Sequence, residues 1–513
     1  MPMTESVAQS LSDSLAEPIA GTGLSARTAT VAALAAALAS GTLTATALTA
    51  YYLDRIQRLN PALRAVISTS PRALDEAAAS DARRESGQRH GPLDGIPVLV
   101  KDNLAVTGRP ATAGSPALAQ AGDAESFCLG GLRAAGAVII GKANLSEWAN
   151  FRSRHSSSGW STLGGQAVNP HGPGRNPSGS SSGSAAGLAA GLAPLAIGTE
   201  TDGSIVSPAA ACGVVGIKPT LGLVSRTGIV PISAAQDTAG PMARTVADAA
   251  ALLTALAGPD PADPATAAAA AEAADYTSFL DPGALDGARL GIWRYSAAAV
   301  GPATAAVFDT AIARLRDAGA TIIDQVDVPD ADQIFGPEFA AMSHEFKHDL
   351  NAYLAALPGE HPASLADLIA FNLAHADTAL VYFGQDHFEA AQATSGDLTD
   401  PDYLSARGEA RRLARAGLDA ALLGSELDAV VSLTGNPAWL TDHVLGDHHS
   451  FGTSTPAAVA GYPAITVPAG QVSGLPVGIS LAGPAWSEPR LIALAHAFEL
   501  ADQSVHSLPD ARG

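Results

Sequence analysis

The stretch NPSGSSSGSAAGLAAGLAPLAIGTETDGSIVSP, residues 176–208, decides the fold and the chemistry of this chain. Gly179, Gly183 and Gly203 stand beside serines, so sharp backbone turns present hydroxyls and bare N–H groups together, a pairing suited to acyl transfer. Past the serine-rich loop, Gly183, Gly187 and Gly191 recur every four residues. That spacing predicts a short buried helix from about Ser182, with the glycines on one face where another backbone can approach closely. Its N-terminal N–H groups and positive dipole end would face residues 180–182 and favour negative charge there. Pro194-Leu195-Ala196-Ile197 reads as a buried strand leading to the turn Thr201-Asp202-Gly203-Ser204. Two serine-bearing turns thus bracket one helix and one strand, and can meet in space. Glycine and serine richness also fits a flexible linker, but a linker would not continue into core.

Working outward, Val98-Leu99-Val100 is a short apolar strand that delivers Lys101 at its end, followed by Asp102 and Asn103. A lysine at the mouth of an apolar strand is a candidate functional amine, and a structural ion pair with Asp102 or another carboxylate is the competing reading. Residues 136–143 nearly match the phosphate-loop pattern, but the intervening residues form an apolar strand, and Ala143 replaces the hydroxyl that would hold magnesium. A helix over 130–135 and a strand over 137–140 is the plainer reading.

The flanks alternate strands and helices. Helices are expected over 31–38 with a threonine cap, over 44–59 ending before Pro61, and over 72–86 on the surface. Segments 213–220 and 227–231 read as strands and turns, 246–256 as a helix, and 258–283 as a surface connection. Residues 288–293, 304–318 and 321–324 make a strand, helix, strand unit. Residues 335–425 are mostly helical and carry Tyr353, Phe371, Tyr382, Phe383 and Phe388. Strands return at 429–432 and 464–468, and a last helix spans 488–502. This alternation argues for one sheet covered by helices on both faces.

At 513 residues, with 47% hydrophobic and 15% charged residues, the chain can bury a large core, and its length allows up to about three domains. Fifty acidic against 29 basic residues give a net charge of −21, a surface that repels nucleic acid and anionic membrane. Cys128 and Cys212 are too few for a disulfide framework or a cysteine metal site. No apolar run reaches the length of a membrane span, and residues 1–17 lack the basic and apolar regions of a secretory signal. The expectation is a soluble, cytoplasmic protein with a loose arm over residues 1–26, unless a leader was removed before Met1.

Two rival motifs compete. His344-Glu345-Phe346-Lys347-His348 matches the zinc-protease pattern, but the helix is polar and no third ligand is evident; among 13 histidines such a pattern arises readily by chance. Gly179-Ser180-Ser181-Ser182-Gly183 matches the hydrolase elbow with Ser181 as nucleophile, but residues 170–177 are a Pro/Gly loop that cannot supply the strand this elbow needs. His443, His448 and His449 lie on a polar, Gly-containing stretch and read as loop residues or substrate contacts.

Gly95-Ile96-Pro97-Val98-Leu99-Val100-Lys101-Asp102-Asn103, the Gly-Ser-Ser-Ser-Gly-Ser run at 179–184, and Thr201-Asp202-Gly203-Ser204-Ile205 together resemble the amidase signature family. Further matches are Thr112-Ala113-Gly114-Ser115, segment 213–220, the run 236–244, and the late segments 460–468 and 474–478. The resemblance runs from about residue 30 to 500, is dense over 91–256 and thin over 260–430. Within the family, residues 144–152, 158–161 and 199–206 look most like its peptide amidase branch. Asp202 stands where glycine is usual and Val206 where arginine is usual; both departures resemble that branch and weaken a tRNA amidotransferase reading.

The resemblance implies an α/β fold built on a single large mixed, mostly parallel twisted sheet. It implies an amidase domain over 27–509, with a signature core at about 91–256 and a helical substrate-cleft region at about 335–425. It implies Ser204 as nucleophile, Ser180 after a cis Gly179-Ser180 bond as proton shuttle, and Lys101 as base and acid. Backbone N–H groups of Thr201, Asp202, Gly203 and Ser204 would form the oxyanion hole, with Gly179, Ser181 and Asp102 in support. No metal or cofactor is called for. The expected activity is hydrolysis of primary carboxamides to acid and ammonia, with peptide C-terminal amides as substrate. A glutamine-dependent amidotransferase component needing partners, and an amidase of small aliphatic or aryl amides, are the alternatives. The oligomeric state stays open, a monomer being one expectation, and the expected partner is a small-molecule or peptide amide substrate.

The residues themselves make the same demand. A serine hydroxyl is a weak nucleophile unless a neighbour takes its proton, and no histidine occurs from 172 to 343. Lysine serves as that base only if desolvation or ordered hydrogen bonds leave it neutral part of the time.

Overall fold

The computed structural model describes residues 17–122, 124–172, 174–295 and 299–501. Among them, eleven strands form one sheet: β1 (Val66–Thr69), β2 (Pro97–Lys101), β3 (Val138–Ala143), β4 (Leu195–Glu200), β5 (Val215–Lys218), β6 (Thr238–Ala243), β7 (Arg289–Ile292), β8 (Thr321–Asp324), β9 (Ala429–Leu433), β10 (Ala464–Val472) and β11 (Leu475–Ala482). Their spatial order is β1-β3-β2-β4-β6-β5-β10-β11-β9-β7-β8, with helices on both faces.

The sheet is mixed, as expected, but its parallel share is smaller than expected. Parallel pairing is confined to β3-β2-β4 and β9-β7-β8; the other pairs are antiparallel. The cause lies in β6 and β11, which the sequence hides: Gly240 and Pro241, and Pro476 and Gly478, lower the strand propensity of segments that are buried throughout or nearly so. β10 and β11 are joined through Ser473 and Gly474 at φ 51° and 78°, the left-handed pair whose twist suits a two-residue antiparallel hairpin.

The central helix forms as its glycines suggest. α1 (Ser182–Ala189) is buried over nearly its whole length. A Cβ at Gly183 would sit 2.2 Å from the Ala65 carbonyl oxygen and 2.5 Å from the Asn144 backbone, and one at Gly191 2.9 Å from Ala26 Cβ. Only glycine admits such contact. β4 is buried at every residue and runs three residues further than expected, to Glu200.

The 44–59 helix, α2, spans Ala45–Leu63, passing through Pro61 at the loss of one backbone bond to residue 57, and it is closed by Arg64 in the left-handed conformation, whose N–H donates to the Asn60 carbonyl. Of the loose arm expected over 1–26, residues 1–16 lie outside the described residues; residues 17–26 are anchored to the body at a few points. Ile19 and Ala26 are in the core, and Glu17 pairs with Arg58 at 2.7 Å. The last helix is Glu488–Ala501, and Asp502, like the domain end at 502–509, lies outside the described residues. Among the described residues, no helix is long and apolar enough to cross a membrane.

Residues 335–425 are helical as expected, chiefly α3 (Phe335–Ala356) and α4 (Pro401–Gly424). Phe388 stacks on Phe346 and meets Trp148 edge-on in a second apolar core, so it is core rather than cleft.

Candidate active site

β2 and β4 are parallel neighbours, Val98 opposite Leu195 and Val100 opposite Ile197, so their C-terminal ends reach one edge of the sheet. β2 ends in Lys101; β4 ends in Thr199 and Glu200 and enters the 201–204 turn. Lys101 is fully buried, and its Nζ donates to Ser180 Oγ at 2.8 Å, Thr199 Oγ1 at 2.8 Å and the Thr199 carbonyl at 3.1 Å. In its neutral form the same amine has a lone pair with which to accept the Ser180 proton. Burial pushes Lys101 down to about 7, against the upward pull of Glu200 and Asp237.

The competing ion pair between Lys101 and Asp102 does not form. Asp102 Oδ1 lies 3.0 Å from Lys142 Nζ, and Oδ2 accepts from Thr112. Consecutive side chains at the end of a strand leave on opposite sides, so each finds different partners. Lys142 also donates to the Leu104 and Pro110 carbonyls, which accounts for the lysine of the phosphate-loop look-alike.

The Gly179-Ser180 peptide is cis. Ser181 Oγ donates to the Thr199 carbonyl at 3.1 Å and accepts the Thr199 N–H at 3.2 Å. It braces the loop against β4, and among the described residues no strand runs directly into it, so the hydrolase-elbow reading of Ser181 fails. The Ser181 N–H donates to the Ser204 carbonyl at 3.1 Å, which ties the two serine turns together.

In the 201–204 turn, Gly203 takes φ 75°, and a Cβ there would meet Ser454 Oγ at 2.8 Å. The Ile205 and Val206 N–H groups donate to Glu200 Oε2 at 2.7 and 3.0 Å. Among the described residues, the N–H groups of Asp202, Gly203 and Ser204 find no protein acceptor, and neither does the hydroxyl of Ser204, a residue only 9% exposed. The Asp202 carboxylate is drawn to α5 (Thr455–Ala460), accepting from Ser454 at 2.5 Å and Thr455 at 2.6 Å; burial raises its pKa. Four elements therefore present a buried amine, two serine turns and three unspent N–H donors.

The zinc pattern resolves differently. Glu345 is buried and gripped by Arg407, while His344 Nδ1 meets Ser395 Oγ at 3.3 Å and His348 Nδ1 the Gly396 carbonyl at 3.2 Å. Among the described residues no three His, Cys, Asp or Glu side chains converge to hold a metal ion. His344→Ala and His348→Ala are expected to keep kcat/KM within about twofold of the parent, as substitutions away from a site do, and chelator should not alter turnover; a tenfold loss in either assay would favour a metal. His443 stacks on Tyr382 at 3.8 Å, His448 pairs with Asp442, and His449 lies within electrostatic reach of Asp202.

Several site residues escaped the sequence reading. Thr199 is the hub for Lys101 and Ser181, and its Oγ1 also accepts from Asn103 Nδ2 at 2.9 Å. Asp237, pushed up to about 6 by burial, accepts from Thr201 Oγ1 at 2.5 Å. Gln236 Nε2 donates to the Thr201 carbonyl at 3.3 Å and to Glu338 Oε1 at 2.8 Å. Asn103, Thr199, Gln236 and Asp237 all lie inside the stretches that carry the resemblance, but nothing local in the sequence assigns them these contacts. Glu338 and Arg407 had no signal.

Residues 47–492 match the family model described as Amidase. The structure is similar to that of native peptide amidase from Stenotrophomonas maltophilia, with 48% identity, a TM-score of 0.87, and coverage of 94% of this chain and 98% of that one. A probable amidase of Arabidopsis thaliana is 41% identical over 472 residues, 90% of this chain and 87% of that protein. A glutamyl-tRNA(Gln) amidotransferase component from Chloroflexus aurantiacus is 36% identical over 498 residues, with coverage of 92% of this chain and 96% of that protein. The chain belongs to the amidase signature family, hydrolases of amide C–N bonds.

Proposed function

We propose that this chain hydrolyses primary carboxamides to acid and ammonia through an acyl-enzyme on Ser204, with C-terminal peptide amides as its substrate class. The observation that carries this reading is the Lys101 amine, buried, hydrogen-bonded to no carboxylate among the described residues, and 2.8 Å from Ser180. Neutral Lys101 takes the Ser180 proton while the Ser204 hydroxyl, which is not hydrogen-bonded to Ser180 in this structure, turns to Ser180 as substrate binds and gives up its proton, and Ser204 Oγ attacks the carbonyl carbon. The developing oxyanion meets the free N–H groups of residues 202–204, each worth about 3 kcal/mol of the barrier. On collapse the proton returns through Ser180 to the nitrogen, so ammonia leaves neutral and Lys101 is neutral again. Water then gives its proton to the same relay, attacks the ester, and releases the acid.

Similarity to a peptide amidase supports the peptide substrate. So does Val206, which is buried in an apolar cluster with Trp293 and offers no cation to an anionic substrate. In this reading the helices of residues 335–425 wall the cleft, tied to Thr201 through Gln236 and Glu338. Similarity to an amidotransferase component favours a second reading, ammonia generation from glutamine for a partner. Ammonia release by the isolated chain without ATP separates them. Across N-capped peptide amides, small aliphatic and aryl amides, and glutamine, the peptide amides should show the highest kcat/KM, by at least about tenfold, because contacts remote from the reacting carbon contribute to the transition state. Preference for a small amide, or silence without a second protein, would overturn the substrate assignment.

A further inference from the structure

The Thr201 carbonyl and the Asp202 N–H belong to one planar peptide unit, so whatever fixes the carbonyl aims the N–H. Gln236 Nε2 makes that bond, at 3.3 Å. A glutamine amide has two faces, and a flip would set Gln236 Oε1 against the Thr201 oxygen and release the unit. The flip state is determined by Arg407, which has donors and no acceptor: its guanidinium donates to Gln236 Oε1, leaving Nε2 for Thr201 and Glu338. Arg407 is itself clamped by Glu345, with Nε donating to Oε1 at 2.7 Å and a second bond to Oε2. Tyr403 at 2.9 Å and Ser233 at 2.6 Å fill the remaining acceptor sites of Glu345. All four side chains of the series Glu345, Arg407, Gln236 and Glu338 are buried.

We propose that Arg407, held by Glu345, is a positioning residue for the nucleophile turn: through Gln236 it orients the peptide unit that presents the Asp202 N–H to the oxyanion. The glutamate of the zinc-like motif is thereby the anchor of a buried relay running from α3 and α4 to the 201–204 turn. This rests on Ser204 as nucleophile.

Arg407→Ala alone would strand a buried carboxylate and risks unfolding. The test is therefore the paired variant Glu345→Leu/Arg407→Met, with Gln236→Leu alone and in combination, assayed on one peptide amide and with the matching peptide aldehyde, whose adduct with a serine places an oxygen where the oxyanion forms. Expected are a fall in kcat of about 10- to 100-fold, KM within about threefold, a parallel fall in aldehyde affinity, and no further loss when Gln236→Leu is added to the pair. Unchanged kcat and aldehyde affinity in the folded pair, or losses that multiply, would overturn the proposal. If the pair shows no cooperative melting, Gln236→Leu decides it by the same two readouts. Ser204→Ala in the same assay separates the layers: retained activity there removes the nucleophile, whereas an inactive Ser204→Ala beside a fully active pair removes only the positioning role.

Discussion

Ser204→Ala should reduce ammonia release from a peptide amide by about 10⁴- to 10⁶-fold, the scale seen when a serine nucleophile is deleted. No other hydroxyl can take over. Ser181 is committed to both backbone groups of Thr199, and Ser180 to Lys101. The fold should be unaffected, because the Ser204 hydroxyl is bonded to no described residue and its removal strands no partner. A melting curve within about 0.5 kcal/mol of the parent is the expectation for such a site. Activity within tenfold of the parent, with that fold intact, would contradict the role given to Ser204.

Lys101→Met should cost at least about 10³-fold in kcat/KM, since general-base assistance alone reaches that size and no second base adjoins Ser180 among its described hydrogen-bond partners. Methionine keeps most of the buried volume but leaves the Thr199 carbonyl without its lysine donor, so some stability should be lost as well. Thermal melting measured alongside turnover separates the two effects. A variant that melts like the parent and turns over like it would show that the buried amine moves no proton.

The helix and strand around residues 182–200 were legible because their glycine spacing and apolar run have few alternative readings, and the structure seats Gly183 against the Ala65 carbonyl as that spacing requires. Lys101 was legible as an amine at a strand tip, but its partner was not: the sequence puts Asp102 beside it, whereas the fold turns Asp102 to Lys142. β6 and β11 were illegible because burial overrides the poor strand propensity of their glycines and prolines. The Glu345–Arg407 clamp was illegible for another reason. Sixty-two positions separate its two residues, and the local pattern around Glu345 pointed to zinc. Only the packing of α3 against α4 brings them together.

The pH dependence of kcat/KM tests the central claim most directly, because it reports the protonation of the free enzyme. Lys101 is a base whose pKa burial lowers to about 7. Below that pH the amine is protonated and cannot accept the Ser180 proton; above it the neutral fraction saturates. kcat/KM should therefore rise about tenfold per pH unit up to about pH 7 and then level, with the acid limb carried by a single group. A profile flat from about pH 5 to 9, or one still climbing toward the ordinary lysine range near about pH 10, would contradict a buried amine poised to draw the proton from the serine pair.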